Sequence, residues 1–500
     1  MQRALILVAL AIVTASATLF TRHAGAAVPR DHDAGAGSTL AQLDATLEQL
    51  MALERREGGW TFAAEGSARP APMTAPLKLA ERLAAPLGLA DWDVVVLRSP
   101  GTPAAALALL DGYERIGRAA YLEGAVRAGD LLLRLQMPSG GWFSEMPVEG
   151  DHVASWFRIV HRTTLDDDVT TGGARLLLKL WRVTGEPRFR AGAERALDLL
   201  RTAQLPSGAW PLVWRPWWKR ALWSTFEDLA TINDDTTPAA IETLLLGADL
   251  LDRDDLREAA RRGGEWLLIA QRATPSGAWA QQYDADGHPA QARRFEPPAL
   301  ASWESRYAVE ALIALANATG DQRYCVATAR ALQWLAASAL RPGCWARFYG
   351  VDSNQPIYVG SDGVTVSQLA DARLGYDWTG DFGISTLLDR FGDARDREAA
   401  GVHVTGDVAV GRPVGIAPGD PGTCPDEAAH GYDRLAPDDP RAVIARAAIL
   451  GGALAEPTPS TCVVAGDQPR NMSVAAATAR GSGAMAPGHR ERVLATQPSR

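Results

Sequence analysis

The chain repeats itself at a nearly constant interval, and that interval restricts its fold more than any other feature. Gln136-Met-Pro-Ser-Gly-Gly-Trp142 recurs as Gln204-Leu-Pro-Ser-Gly-Ala-Trp210. It returns with a two-residue insertion between Gln271 and Trp279, and more faintly as Arg341-Pro-Gly-Cys-Trp345. The four tryptophans stand 68, 69 and 66 residues apart. A second marker, Thr184-Gly-Glu-Pro-Arg-Phe189, comes back two periods later as Thr319-Gly-Asp-Gln-Arg-Tyr324, and Glu57-Gly-Gly-Trp60 reads as a degenerate earlier copy. Within a period, residues 174–183 and 191–200 both carry apolar side chains at i, i+3, i+4 spacing, the signature of amphipathic helices. The Thr-Gly-Glu-Pro and Pro-Ser-Gly elements between them are helix breakers. A helical hairpin cannot bury its apolar face alone, so neighbours must stack. The expectation is an all-α fold, an (α/α) toroid of hairpins with a period of about 68 residues; an open solenoid would share that period.

Three segments follow from composition. Met1-Gln2-Arg3 is a short cationic leader, residues 4–20 are almost continuously apolar, and Ala24-Gly25-Ala26 offers a small-residue cleavage site. Residues 1–26 therefore read as a signal peptide, and the protein as secreted, to the periplasm or beyond. Residues 27–398 hold the toroid. Residues 399–500, rich in Gly, Pro, Ala and Asp with one apolar patch at 443–454, read as a low-complexity, disordered tail. With 47% hydrophobic residues and no later long apolar run, the mature chain is expected to be globular, free of the membrane and monomeric. A net charge of -9 argues against nucleic acid, and requires that a polyanion be met locally by a metal or by placed arginines. Cys325, Cys344, Cys424 and Cys462 lack metal-ligand spacing; a Cys325–Cys344 or Cys424–Cys462 bridge suits an exported protein, with the pairing left open.

Two acidic clusters, Thr163-Thr-Leu-Asp-Asp-Asp168 and Thr231-Ile-Asn-Asp-Asp235, each precede an apolar-periodic helix. One such cluster alone would read as helix capping. Asp166 and Asp234, however, are 68 residues apart, one repeat, and a further period falls within two residues of Glu304. Side by side on one rim, Asp166, Asp167, Asp234 and Asp235 would form an oxygen-rich site for a hard cation such as Ca²⁺. The loop between Trp279 and Glu304 opens on that rim and carries Arg293 and Arg294, suited to bidentate contact with a carboxylate. Trp210, Trp214, Trp217, Trp218 and Trp223 crowd one stretch with Arg215, Lys219 and Arg220; those rings, with Trp142, would either stack on sugars or fill the core.

Taken together these segments resemble the family-10 pectate lyases, secreted (α/α) toroids that cleave polygalacturonate by β-elimination. The family's Thr-Thr-Ile-Asp-Asn-Gly-Ala-Thr is similar to Thr163–Thr170, and its Thr-Phe-Asn-Asp-Asp to Thr231–Asp235. Its Ala-Arg-Ala-Tyr-Glu-Pro-Pro-Ser-Leu-Ser is similar to Ala292–Ala301, and its Trp-Ala-Arg-Phe-Tyr to Trp345–Tyr349. Asn354–Tyr358 and Gly375–Trp378 complete a match that runs from about residue 130 to 380. The resemblance implies pectin catabolism: Asp166 and Asp234 bind Ca²⁺ and the uronate, Arg293 removes the C5 proton, and Arg347 grips a second carboxylate, with Arg294, Glu304, Trp142 and Trp210 in the substrate site. The chain departs from the pattern at Ser144 and Ser361, where the family carries cations, and near Glu227-Asp228, where it carries His. Two other readings fit parts of the sequence. A non-catalytic carbohydrate-binding toroid would explain the lost cations. A terpene-cyclase-like enzyme would share the Gln-to-Trp spacing and Asp234-Asp-Thr-Thr237, but Ile232 stands where that motif needs an aspartate.

Overall fold

Helical hairpins recur where the period puts them. The protein is seen here as a computed structural model that describes residues 36–55, 58–61, 94–148, 162–216, 225–391, 424, 439–453 and 462. Four hairpins pair α2 (Thr102–Ile116) with α3 (Ala119–Leu135), α4 (Val169–Thr184) with α5 (Pro187–Ala203), α6 (Thr236–Leu251) with α7 (Asp254–Arg272), and α8 (Ser302–Thr319) with α9 (Gln322–Ala337). The first helix of each pair packs on the first helix of the next, forming an inner row, while the second helices lie outside them. This is the (α/α) toroid arrangement. The breakers act as their chemistry dictates. Gly185 closes α4 in the left-handed region at φ 72°, donating its N–H to Trp181 O, and Pro187 is the first residue of α5.

The repeating tryptophan is the pillar of each unit. Nε1 of Trp60, Trp142, Trp210, Trp279 and Trp345 donates to the carbonyl of Leu50, Leu132, Leu200, Leu267 and Leu335, at 2.7–3.0 Å. Four of them also donate their backbone N–H to a hydroxyl at the start of the following inner helix, on Thr102, Thr170, Thr237 and Ser305. Each of these four residues thus ties an outer helix to the next inner one, and Trp60 belongs to a genuine first copy. The repeated glutamine does a second job. Nε2 of Gln136, Gln204 and Gln271 bridges its own turn to a carbonyl of the next outer helix. The turn needs its glycine: a Cβ on Gly140 (φ 101°) would stand 2.3 Å from Arg195 O.

The C-terminal part departs from expectation. Residues 440–453 form a helix, α11 (Pro440–Ala453), that packs on α1 (Ala36–Ala52) as the inner partner of a hairpin and on α2 as an inner-row neighbour. Val443, Ile444 and Ala447 are buried there. The apolar patch is therefore structural, because α1 and α2 would otherwise leave an apolar face in water. The cysteines pair as Cys325–Cys462 and Cys344–Cys424, with Cα–Cα separations of 5.0 and 5.4 Å, not as the two short-range bridges considered from sequence. The returning C-terminal segment supplies a partner to each cysteine of the last hairpin region. Residues 1–26 lie outside the described residues, as do Trp217, Trp218, Lys219, Arg220 and Trp223.

Short antiparallel strands edge the rim where the inner helices begin. β1 (Val94–Val96) pairs with β2 (Glu145–Pro147), β3 (Thr163–Thr164) with β4 (Val213–Trp214), and β5 (Ala230–Thr231) with β6 (Gln282–Tyr283). β7 (Leu300–Ala301), β9 (Phe348–Tyr349), β10 (Pro356–Val359) and β11 (Thr365–Val366) form one small sheet, and β8 (Trp345–Ala346) pairs with β12 (Thr379–Gly380). α10 (Ile384–Phe391) packs on α8 and α9.

Candidate active site

The rim strands run straight into two unusual turns. Asp167 and Asp168 before α4, and Asp234 and Asp235 before α6, all take positive φ values of 51–62°. Aspartate tolerates this region better than most residues, yet each such position still costs about 1 kcal/mol or more. The two turns are equivalent, but with a shift of 67. Asp166 N and Asn233 N each donate to the carbonyl just before a rim strand, of Leu212 before β4 and Gln281 before β6, so Asp166 corresponds to Asn233 and Asp167 to Asp234. The equivalence drawn from a spacing of 68 between Asp166 and Asp234 is off by one, because the loop after Trp210 is one residue shorter. Capping is not their use: neither Asp168 nor Asp235 makes a side-chain cap hydrogen bond.

The paired turns send consecutive carboxylates in two directions. Asp166, Asp167 and Asp234 gather on one side. Burial, Asp167 and Asp234 push the Asp166 carboxyl well above its ordinary range, against the pull of Arg293 and Arg162. Asp234 Oδ2 accepts from Asn233 Nδ2 (2.6 Å) and lies 3.8 Å from Arg293 Nη2. Asp235 does not join them. Burial, Glu242, Asp168 and Glu310 raise its carboxyl, opposed by Arg306. Asp168 accepts from Thr171 Oγ1 (2.6 Å) and from Arg175, while Arg306 holds Glu310 at 2.9 Å. The expected tetrad of acids is thus broken: Asp166, Asp167 and Asp234 lie on one side, and Asp235 lies with Asp168 on the other.

Arg293 is the inward arginine of its pair. Its Nη1 and backbone N donate to the two oxygens of Glu296, at 2.8 and 3.0 Å, and Tyr376 OH donates to Glu296 Oε1 at 3.3 Å. Burial works against its charge, but Glu296, Asp234, Tyr376 and Asp166 outweigh burial and hold the guanidinium above the ordinary arginine value. Arg294 turns away to donate to Asp362 O. Arg347 donates to Glu304 Oε1 at 2.9 Å, between the rings of Trp303 (4.6 Å) and Tyr376 (4.9 Å). Glu304 reaches the cluster from the first turn of α8, although the Asp-Asp turn is missing there. Gln281 Nε2 bridges Asn233 Oδ1 and Glu304 Oε1, both at 2.8 Å. Gln281 stands two residues after its repeat tryptophan, as Ser144, Leu212 and Arg347 do, but the side chain differs in every copy, so its role shows only in the fold; Tyr376 occupies no repeat position.

Trp142 and Trp210 are wholly buried pillars, so neither offers a face to a ligand. Among the described residues, three ligating groups within reach of one ion occur only at Asp284, Asp286 and His288, where Asp284 Oδ1 closes an exposed turn by accepting from the N–H of Asp286 and His288. The acid cluster on the rim nevertheless suits a hard cation. Glu304 Oε2 and Gln281 Oε1 are buried acceptors without a hydrogen-bond partner, and burial with the neighbouring carboxylates of Asp167 and Asp234 raises the Asp166 carboxyl, a strain that a cation would relieve.

Residues 155–342 match the family model described as pectic acid lyase, a span that holds Asp166, Asp234, Arg293, Glu296 and Glu304 and stops short of Arg347. No curated protein matches the sequence. Among solved structures, a family 10 polysaccharide lyase from Cellvibrio cellulosa is similar at 20% identity and a TM-score of 0.45, over 58% of this chain and 96% of that one. A mutant of it was solved in complex with trigalacturonic acid, and covers 58% of this chain and 98% of its own at the same identity and TM-score. An α-1,6-mannanase from Salegentibacter sp. HEL1_6 is similar at 13% identity and a TM-score of 0.38, over 59% of this chain and 70% of that one.

Proposed function

We propose, for a chain that is pectate lyase-like across residues 155–342, that this polysaccharide lyase cleaves a polyuronate by Ca²⁺-assisted β-elimination on the rim of the toroid. The observation that carries this reading is the convergence of Asp166 and Asp234 with Arg293 and Arg347 on one rim. Asp166 and Asp234 would hold the cation, completed by substrate and water oxygens. Bound there, Ca²⁺ supplies Lewis acidity, which neutralises the uronate carboxylate and makes the adjacent C5–H more acidic. Arg347, buried and stacked between Trp303 and Tyr376, would pair with a carboxylate of the polymer. Arg293 would accept the C5 proton as the C4–O bond breaks, leaving a C4=C5 double bond, with the departing oxygen protonated by solvent. Its present partners favour the charged guanidinium, so it can act as base only once the carboxylates beside it are engaged by cation and substrate.

Two disulfides suit an oxidising compartment, which supports reading the protein as exported. The test is an assay on polygalacturonate with Ca²⁺ or with EGTA, following ultraviolet absorbance of the unsaturated uronate. Calcium-dependent product that disappears in Arg293→Ala and in Asp166→Ala supports the proposal. No product on polygalacturonate, methylated pectin or alginate refutes it in favour of a carbohydrate-binding toroid.

A further inference from the structure

A second charged network borders the rim site and has no part in the chemistry above. Arg162 immediately precedes β3, Arg215 immediately follows β4, and Glu227 and Asp228 form the turn before β5. Arg215 Nη1 donates to Asp228 Oδ2 at 2.9 Å, and its other terminal nitrogen binds Glu227. Glu227 Oε2 also accepts from Arg162 Nη1 at 2.7 Å. Side-chain exposure rises along the network, from 4% at Asp228 through 11% at Arg215 and 14% at Glu227 to 23% at Arg162. Arg162 is therefore the outward end of a chain anchored in the interior. Its charge reaches the site: it joins Arg293 in pulling down the Asp166 carboxyl.

The repeats follow one another along the inner row, so the order of rim residues follows the order of the chain. Arg215, Glu227 and Asp228 lie between Asp166 and Asp234 in the chain, so the network that holds Arg162 sits where those two repeats adjoin, and Arg293 and Arg347 follow Asp234 on the side of the later repeats. We propose that Arg162, braced by Glu227 and Arg215, is a further binding point for a carboxylate of the polymer, so that this rim recognises an unesterified uronan across successive sugars. This rests on the polyuronate reading of the same rim. A guanidinium has five N–H donors in a planar fork, so an arginine already paired with Glu227 through one nitrogen keeps donors for a second anion. Asp166 and Asp167 would otherwise repel a uronate placed beside this network.

The test compares retardation of the full native chain with that of Arg162→Ala in affinity gels, with EGTA present to hold off cleavage. One gel contains polygalacturonate and another contains highly methyl-esterified pectin. Loss of Arg162 should weaken binding to polygalacturonate about ten-fold and leave binding to the esterified polymer within about two-fold. Glu227→Gln, which removes the competing carboxylate while Asp228 still holds Arg215, should bind polygalacturonate at least as well as the native chain. The proposal is overturned by equal affinity of Arg162→Ala and native protein, by an equal loss on both polymers, or by a native chain not retarded by polygalacturonate. Unsaturated product formed with Ca²⁺ is read separately. If none forms, the lyase reading fails, while the gel comparison still decides the role of Arg162.

Discussion

Replacing Glu296 by glutamine tests whether Arg293 is the base. Glu296 is buried and binds Arg293 through both its guanidinium and its backbone N–H. Glutamine keeps the size and an acceptor oxygen but removes the negative charge. With charge centres about 4 Å apart and an effective dielectric of about 20, the lost attraction is about 4 kcal/mol, equivalent to about three pH units. Asp234 and Asp166 remain beside the guanidinium and absorb part of the change. The sign is definite: Glu296 raises the Arg293 pKa, so its loss lowers it and makes the neutral arginine more available at a given pH. The alkaline rise in kcat/KM on polygalacturonate at saturating Ca²⁺ should move down by about one to three pH units, even if a looser loop lowers the maximum. An unmoved limb with a reduced rate would mean that Glu296 only shapes the loop and that Arg293 does not take the proton. A limb that moves upward would refute the electrostatic reasoning itself.

Other perturbations follow from the same geometry. Glu304→Ala leaves the Arg347 guanidinium buried without its ion-pair partner and should cost about 3–5 kcal/mol in urea unfolding, whereas Glu304→Ala combined with Arg347→Met should recover much of that loss. Trp210→Phe removes the indole bond to Leu200 O and leaves a gap between α5 and α6, with an expected loss of about 2–4 kcal/mol in the same measurement. Burial, with Glu310 and Asp168 nearby, pushes Glu242 up to about 7 from an ordinary 4.5, while Arg175 and Arg306 oppose the shift. Its contribution to stability is complete below about pH 4.5 and lost as pH rises through about 7, so Tm should fall across that window and fall less in Glu242→Gln. Because the Asp166 carboxyl is raised above its ordinary range, a cation competes there with a proton, and Ca²⁺ affinity by calorimetry should rise with pH in the native protein but far less in Asp166→Asn.

The repeat was legible in the sequence because every copy must make the same contacts. A tryptophan ring, a glutamine amide and a glycine turn solve one local packing problem each time, so they recur at a fixed interval and announce the hairpins before any coordinate is known. Asp166, Asp234 and Arg293 stood out for the same reason, next to repeat landmarks. The tertiary structure decided what depends on aim and on distant chain segments. Two left-handed residues in succession turn Asp168 and Asp235 away from Asp166 and Asp234, and a one-residue loop difference makes Asp167, not Asp166, the counterpart of Asp234. Glu296 and Tyr376 become partners of the arginines, and Gln281 a bridge between Asn233 and Glu304, only through folding. The C-terminal helix was read as tail because its composition is plain and its partners lie almost the whole chain away. Apolar burial against α1 and α2 is a property of the stacked row of hairpins, not of residues 440–453 alone.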